Sequence, residues 1–168
     1  MQKKNKTTNS IPKNILQKAG RDTEATLTEM SSFTNFIEDA NSVIFKVEES
    51  RLNYTKTQKV NTLFKLLITS HPKKSEVSKT YYFNINHTWS DKDDIGARKK
   101  AGYDLSAMLN ALGLDSSDYL KILKGGNVDE IEDYLGQAVG MQIVADCVQT
   151  LKDKKRYQNL DNITAMKS

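Results

Sequence analysis

The chain has one cysteine, two prolines and two histidines in 168 residues. Each scarcity removes a class of protein. A single thiol, Cys147, forms no internal disulfide and is too little for a cysteine-based metal site. Its neighbours alternate as in a strand, so it reads as a buried, inert thiol. His71 and His87 lie in no metal-ligand spacing. No apolar run approaches the roughly eighteen residues that cross a bilayer. The start, "MQKKNKTTNSIPKNILQKAG", is basic but lacks the apolar stretch of a secretory signal, so the cytoplasm is the expected location. Phosphate-cradling glycine loops and a Gly-x-Ser-x-Gly turn are missing; Gly125 and Gly126 read as a helix stop. The run "SDKDD" (Asp91, Asp93, Asp94) resembles a hard-cation loop but lacks the glycine and closing glutamate of one, and an acid there serves better as a helix cap. No catalytic residue, cofactor or metal is assigned, and no enzyme is expected.

What is present is charge, unevenly placed. The formal net charge is +4. Residues 1–21 carry Lys3, Lys4, Lys6, Lys13, Lys18 and Arg21 with no acid, which is +6 and leaves −2 for the rest. Residues 51–80 hold seven cations against Glu76, whereas residues 111–150 hold seven acids against Lys121 and Lys124. Placement of this kind governs partners more than net charge does.

Periodicity divides the chain. Residues 1–38 have little period and read as a basic, largely flexible arm, with a short helix in "KNILQKAG" and apolar residues in "SSFTNFIEDA" that dock on the body. The arm adds weak attraction for an anion or folds on a partner. From Ser42 the period is two: Val43, Phe45 and Val47 alternate with Ile44, Lys46 and Glu48. A second strand, "VNTLFKLLIT", puts Val60, Thr62, Phe64, Leu66 and Ile68 on one face. A third, "TYYFNINHTW", puts Tyr81, Phe83 and Ile85 opposite Tyr82, Asn84 and Asn86. The period then turns helical, with Ala101, Leu105, Met108, Leu109 and Leu112 ending at Gly113. "DSSDYLKILKGG" and "NVDEIEDYLG" read as two further short helices. Alternation resumes in "AVGMQIVADCVQT", with Val139, Met141, Ile143, Ala145 and Cys147 on one face, and a last strand follows in "RYQNLDNITAM".

The expected fold is mainly β with an α insertion: a five-stranded OB-fold barrel, β1-β2-β3-α-β4-β5, over residues 39–168, with the helical insertion at about 95–136. A generic α+β sandwich shares much of this pattern.

The runs "VIFKVEESRLNYTKTQKVNTLFKLLITS", "KTYYFNINHTW", "LNALGL" and "YLGQAVGMQIVADCVQTLKDKKRYQNLDNITAM" resemble small OB-fold replication proteins of phages and mobile elements. The matching residues are Phe83, Asn84, Leu109, Leu112, Gly113, Leu135, Gly136, Val139, Tyr157 and Asn159, within residues 42–166. The resemblance implies single-stranded DNA binding in replication or recombination, or service to a polymerase, primase or helicase. One departure stands out. Many bacterial single-strand-binding proteins end in an acidic tip that recruits partners, and this chain ends "ITAMKS".

Single-strand binding needs cations along a groove and flat rings on which bases stack. In an OB-fold the loops joining strands 1–2 and 4–5 close over a platform made of strands two and three. Both loops are basic here: Tyr54, Lys56 and Lys59 in the first, Lys152, Lys154, Lys155, Arg156 and Tyr157 in the second. In the barrel reading these remote segments flank one cleft, although Lys-rich turns also serve solubility. Lys65 and Tyr82 lie on the platform's outer face. Trp89 either joins them or covers the seam between helix and barrel. The acidic insertion, with Leu120, Ile122, Leu123, Ile131, Tyr134 and Leu135, either packs on the barrel or meets a protein partner. Single-stranded DNA is thus the expected ligand, no membrane partner is expected, and an oligomer is compatible with the same reading.

Overall fold

The computed structural model of the chain describes residues 12–21, 36–90 and 92–167. The chain divides into two units, residues 1–36 and 37–168. In the first, residues 13–21 form helix α1, just after Pro12, whose ring suits a helix start. Of the expected docking segment, Ile37 is fully buried in the core, and residues 1–11 and 22–35 of the arm fall outside the described residues.

The second unit holds five strands: β1 (Ala40–Tyr54), β2 (Val60–Ser70), β3 (Thr80–Asn86), β4 (Gln142–Lys152) and β5 (Lys155–Ala165). Between β3 and β4 stand helices α2 (Ile95–Ala111), α3 (Ser116–Gly125) and α4 (Val128–Gly136). The strands form one antiparallel sheet in the order β3-β2-β1-β4-β5. β1 is 15 residues long and serves two partners. Its first part pairs with β4 and the stretch from Ile44 to Tyr54 with β2.

Alternation works because one face of the sheet is buried. Val43, Phe45, Val47, Phe64, Leu66 and Ile68 are all within 1% of complete burial, and Phe83, Ile85, Ile143, Ala145, Cys147 and Leu160 join them. Helix α2 packs on β3 and β5, and α4 on β1. The helices contribute Met108, Leu109, Leu112, Tyr119, Ile131 and Leu135 to the same core. Their caps follow the sequence: Asp94 accepts from the Gly96 N–H at 2.9 Å, Asp115 from Ser117 and Asp118, and Asn127 from Glu130. Gly126, at φ +72°, ends α3 in the left-handed region. Of the insertion's apolar residues, Ile131 and Leu135 are core, Ile122, Leu123 and Tyr134 are partly buried, and Leu120 is exposed.

One strand assignment is corrected. Val139 and Met141 lie outside β4 and are 50% and 39% exposed. Residues 137–140 form a turn after α4, and Gly140 (φ +87°) donates to the Val47 carbonyl while Met141 accepts from the Val47 N–H. Gly140 and Met141 make this backbone clip, and Val139 closes the turn before it by donating to the Gly136 carbonyl at 3.2 Å. β1 follows its expected alternation as far as Val47 and then carries a bulge. A register shift between Val47 and Glu49 inverts its parity, so that Val47 and then Ser50 face the core. Beyond this bulge Leu52 and Tyr54 lie on the core side, while Arg51 and Asn53 point outward.

Cys147 is 1% exposed, and its thiol is pushed up to about 12, by burial first and then by Asp146, Asp39 and Glu76. His71 is a clamp: its Nδ1 accepts from the Lys73 N–H at 2.9 Å, and its Nε2 donates to the Glu38 carbonyl at 3.1 Å. Among the described residues no helix is long and apolar enough to cross a membrane.

Candidate nucleic-acid interface

Strand sense fixes where the two basic turns stand. β3 and β1 both oppose β2, and β5 and β1 both oppose β4, so β3 and β5 run the same way. They are the two edges of the sheet, and the Tyr81 hydroxyl in β3 reaches the Gln158 carbonyl in β5 at 3.0 Å. The β4–β5 hairpin therefore springs from beside the start of β3 and points past it. The β1–β2 turn lies at the other end: Val60 donates to the Thr88 hydroxyl at 3.1 Å, and His87 donates to the Val60 carbonyl at 2.8 Å. From Tyr81 to His87 is roughly 20 Å of extended chain. The two basic turns thus bound β3 at its two ends, which corrects the expectation that they come together over one cleft.

The platform between them carries a cross-strand pair, Lys65 opposite Tyr82, on the outer face. Tyr82 is 51% exposed. Asn84 stands exposed beside it, opposite Leu63. Lys65 is held by Glu48 at 3.3 Å and the neighbouring Arg51 by Glu49 at 2.6 Å, so the platform's cations are already compensated. Among the described residues, lysines that make no ion pair lie at the turns: Lys56 and Lys59 in one, Lys152, Lys154 and Lys155 in the other.

The β4–β5 hairpin is tighter than its sequence suggests. Its strands run through the cations until only Asp153 and Lys154 turn, with φ of +51° and +61°. Both central residues are thus left-handed, the geometry that matches strand twist in a two-residue hairpin. Lys152 faces Lys155, and Thr150 faces Tyr157, on the side away from the core. Like charges directly opposed across a ladder destabilise it. No ion pair is made by Lys152, Lys154 or Lys155 among the described residues. Arg156 alternates to the other side with Leu151, which is 75% exposed because the hairpin extends beyond the core.

At the opposite end, the β1–β2 turn is shaped by its threonines. Thr55 donates to the Lys59 carbonyl through its N–H, and its hydroxyl accepts from the Lys59 N–H at 3.0 Å. Lys56 and Lys59 are exposed. Lys59 lies in the field of Asp93, whose carboxyl is lowered chiefly by the Ser90 N–H and then by Lys59 and Arg98. Tyr54, 64% exposed, sits on the core-side face of β1, so it does not share the outer face of Lys65 and Tyr82. Trp89 is half-buried just past β3. Asp91 lies outside the described residues.

Beneath this end runs a buried polar chain. The Thr62 hydroxyl meets His87 Nε2 at 2.5 Å and the Tyr119 hydroxyl at 2.6 Å. Tyr119 stacks on Tyr134 with ring centres 5.9 Å apart, and the Tyr134 hydroxyl donates to the Asp115 carbonyl at 2.7 Å. Burial holds His87 below its usual pKa. The chain fixes the end of β3 to α3 and α4, and so positions Trp89 and the basic turn.

The structure therefore distributes the sequence-predicted residues over an outer face (Lys65, Tyr82), a hairpin beside its start (Lys152, Lys154, Lys155, Tyr157, with Arg156 behind) and a turn at its end (Lys56, Lys59), with Tyr54 on the core side and Trp89 just past β3. Arg51 and Asn84 belong to the same outer face and were not singled out. The bulge hid Arg51; the signal for Asn84 was its alternation with Phe83. Neither a protein-family model nor a curated protein matches this chain.

Proposed function

We propose that the chain binds single-stranded DNA with little sequence preference, on an OB-fold platform, in replication or recombination of a phage or mobile element. The strand order, the helices between β3 and β4, and the Tyr81–Gln158 contact between the sheet's edges support the barrel reading. The observation that carries the binding reading is the placement, at both ends of β3, of lysines that make no ion pair among the described residues, with the exposed Tyr82 ring between. Lys152 and Lys155 repel each other across the ladder, and a phosphate between them turns that cost into attraction. The rings of Tyr82 and Tyr157 supply faces on which any base stacks, which gives affinity without sequence readout. This is a binding role, not a catalytic one.

Affinity for oligo-dT across a salt series tests the reading. Neutralising phosphates makes log K fall steeply with log salt. A flat line, or preference for duplex over single strand, refutes it.

One surface favours a second reading. Asp118, Asp129, Glu130 and Asp133 are exposed on α3 and α4 beside exposed Leu120 and Val128. That face suits a basic protein partner, so the chain is alternatively an adaptor for a polymerase, primase or helicase. Co-purification with such an enzyme, without an oligonucleotide shift by the isolated chain, would select it.

A further inference from the structure

Helix α2 does two jobs along its 17 residues. Its C-terminal part buries Met108, Leu109 and Ala111. Its first six residues, 95–100, are all exposed, and Ile95 and Tyr103 are 67% and 74% exposed. This half contributes nothing to the core, yet it is costly to build. Gly96 and Gly102 weaken a helix by about 1 kcal/mol each relative to alanine. A Cβ at Gly102 would meet nothing within 4 Å, so packing does not demand the glycine. The first turn has no acid, and Arg98, Lys99 and Lys100 follow at the positive end of the helix, where cations are disfavoured. Lys100 is answered by Asp104 at 3.0 Å. Arg98 and Lys99 make no ion pair among the described residues.

These groups are ordered along one side. Residues 95, 99 and 103 are spaced i, i+4, so Ile95, Lys99 and Tyr103 form a stripe with Gly102 beside it. From residue 95 to residue 103 is about 12 Å along the axis. The stripe starts where the platform ends. Residues 87 and 88 are bonded to Val60, where β2 begins, and Asp93, held by the Ser90 N–H at 2.5 Å, stands in the fields of both Lys59 and Arg98. Tyr103 also lines the cleft between α2 and β5, together with Lys100, Asp104 and Asp161, and its two carboxylates against one lysine turn phosphate away from the cleft itself.

We infer that the exposed half of α2 is a second segment of the nucleic-acid track: a strand leaving β3 past Trp89 and Lys59 runs over Arg98 and Lys99 and ends with a base stacked on Tyr103. This rests on the single-strand reading above and extends it, because it gives the track a direction and a length beyond the platform. The glycine at 102 lets the strand lie close to the helix backbone.

The test uses the full chain and two probes, oligo-dT of about four and about sixteen nucleotides, which bracket the usual footprint of one such domain. The variants are Arg98→Glu/Lys99→Glu and Tyr103→Ser, with circular dichroism to confirm helix content. The expected result is unchanged affinity for the short probe and a loss of about tenfold or more for the long one. The double charge reversal should also lower the long probe's salt slope by about 1.4, for two phosphates lost. Wild-type affinity for the long probe with no change in either variant overturns this inference alone. Equal losses on both probes also overturn it, since α2 would then belong to the primary site. Failure of the wild type to bind either probe overturns the single-strand reading itself, and this inference with it.

Discussion

The Tyr81 hydroxyl donates to the Gln158 carbonyl, 77 residues away, and is the hydrogen bond that spans the gap between the sheet's two edges. Ordinary ladder bonds hold β3 to β2 and β5 to β4, but β3 and β5 share no ladder. Gln158 is further tied down by the Ile37 N–H, which donates to its Oε1 at 2.8 Å.

Tyr81→Phe removes that bond and leaves the ring's packing on Phe83 in place. Stability should fall by about 1 kcal/mol in denaturant titration. Amides near Gln158 in β5 should exchange faster with solvent than those of β1. Equal exchange in variant and wild type would show that the contact does not hold the edges.

The hairpin lysines should trade stability against binding. Lys155→Glu converts the opposed Lys152–Lys155 pair into an attractive one, so the melting temperature should hold or rise slightly. Oligo-dT affinity should drop several-fold, with a shallower salt slope. A variant that binds as well as wild type would remove the hairpin from the interface.

The Thr62 chain predicts an acid-sensitive step. Burial lowers His87 from its usual 6.5, so near that pH the unfolded chain takes up a proton that the folded chain refuses. Stability should therefore decline as pH falls through about 6.5, and level off once the folded imidazole protonates. His87→Gln should flatten this limb, measured by urea titration across pH. Thr62→Val deprives both His87 and Tyr119 of their shared partner and should cost about 1–3 kcal/mol.

Cys147 should be inert in the folded chain. Its thiol is buried and titrates only at about 12, so a thiol reagent at neutral pH should react no faster than the protein unfolds. Rapid labelling without denaturant would contradict the position of β4 in the core.

Much of the fold was legible because burial of one sheet face imposes period two. Phe45, Phe64, Phe83 and Cys147 each stand where alternation put them. The hairpin turn was readable as polar, but not as two residues, because Asp153 and Lys154 are unusual choices for paired left-handed positions. Val139 and Met141 mimic strand alternation while serving a turn clipped to Val47. Nothing local distinguishes the two uses.

Taken alone, the order of amino acids determined the strands, the helical insertion and the core side of residues such as Phe45, Phe64, Phe83 and Cys147, since these follow from local periodicity and capping. Which way Arg51 and Tyr54 point was decided by the bulge at Glu48, where one extra residue against β2 inverts the parity downstream. That the basic turns stand at opposite ends of β3 was decided by the sense of strand pairing and the Tyr81–Gln158 contact. Both depend on residues far apart in the chain, and no window of sequence contains them.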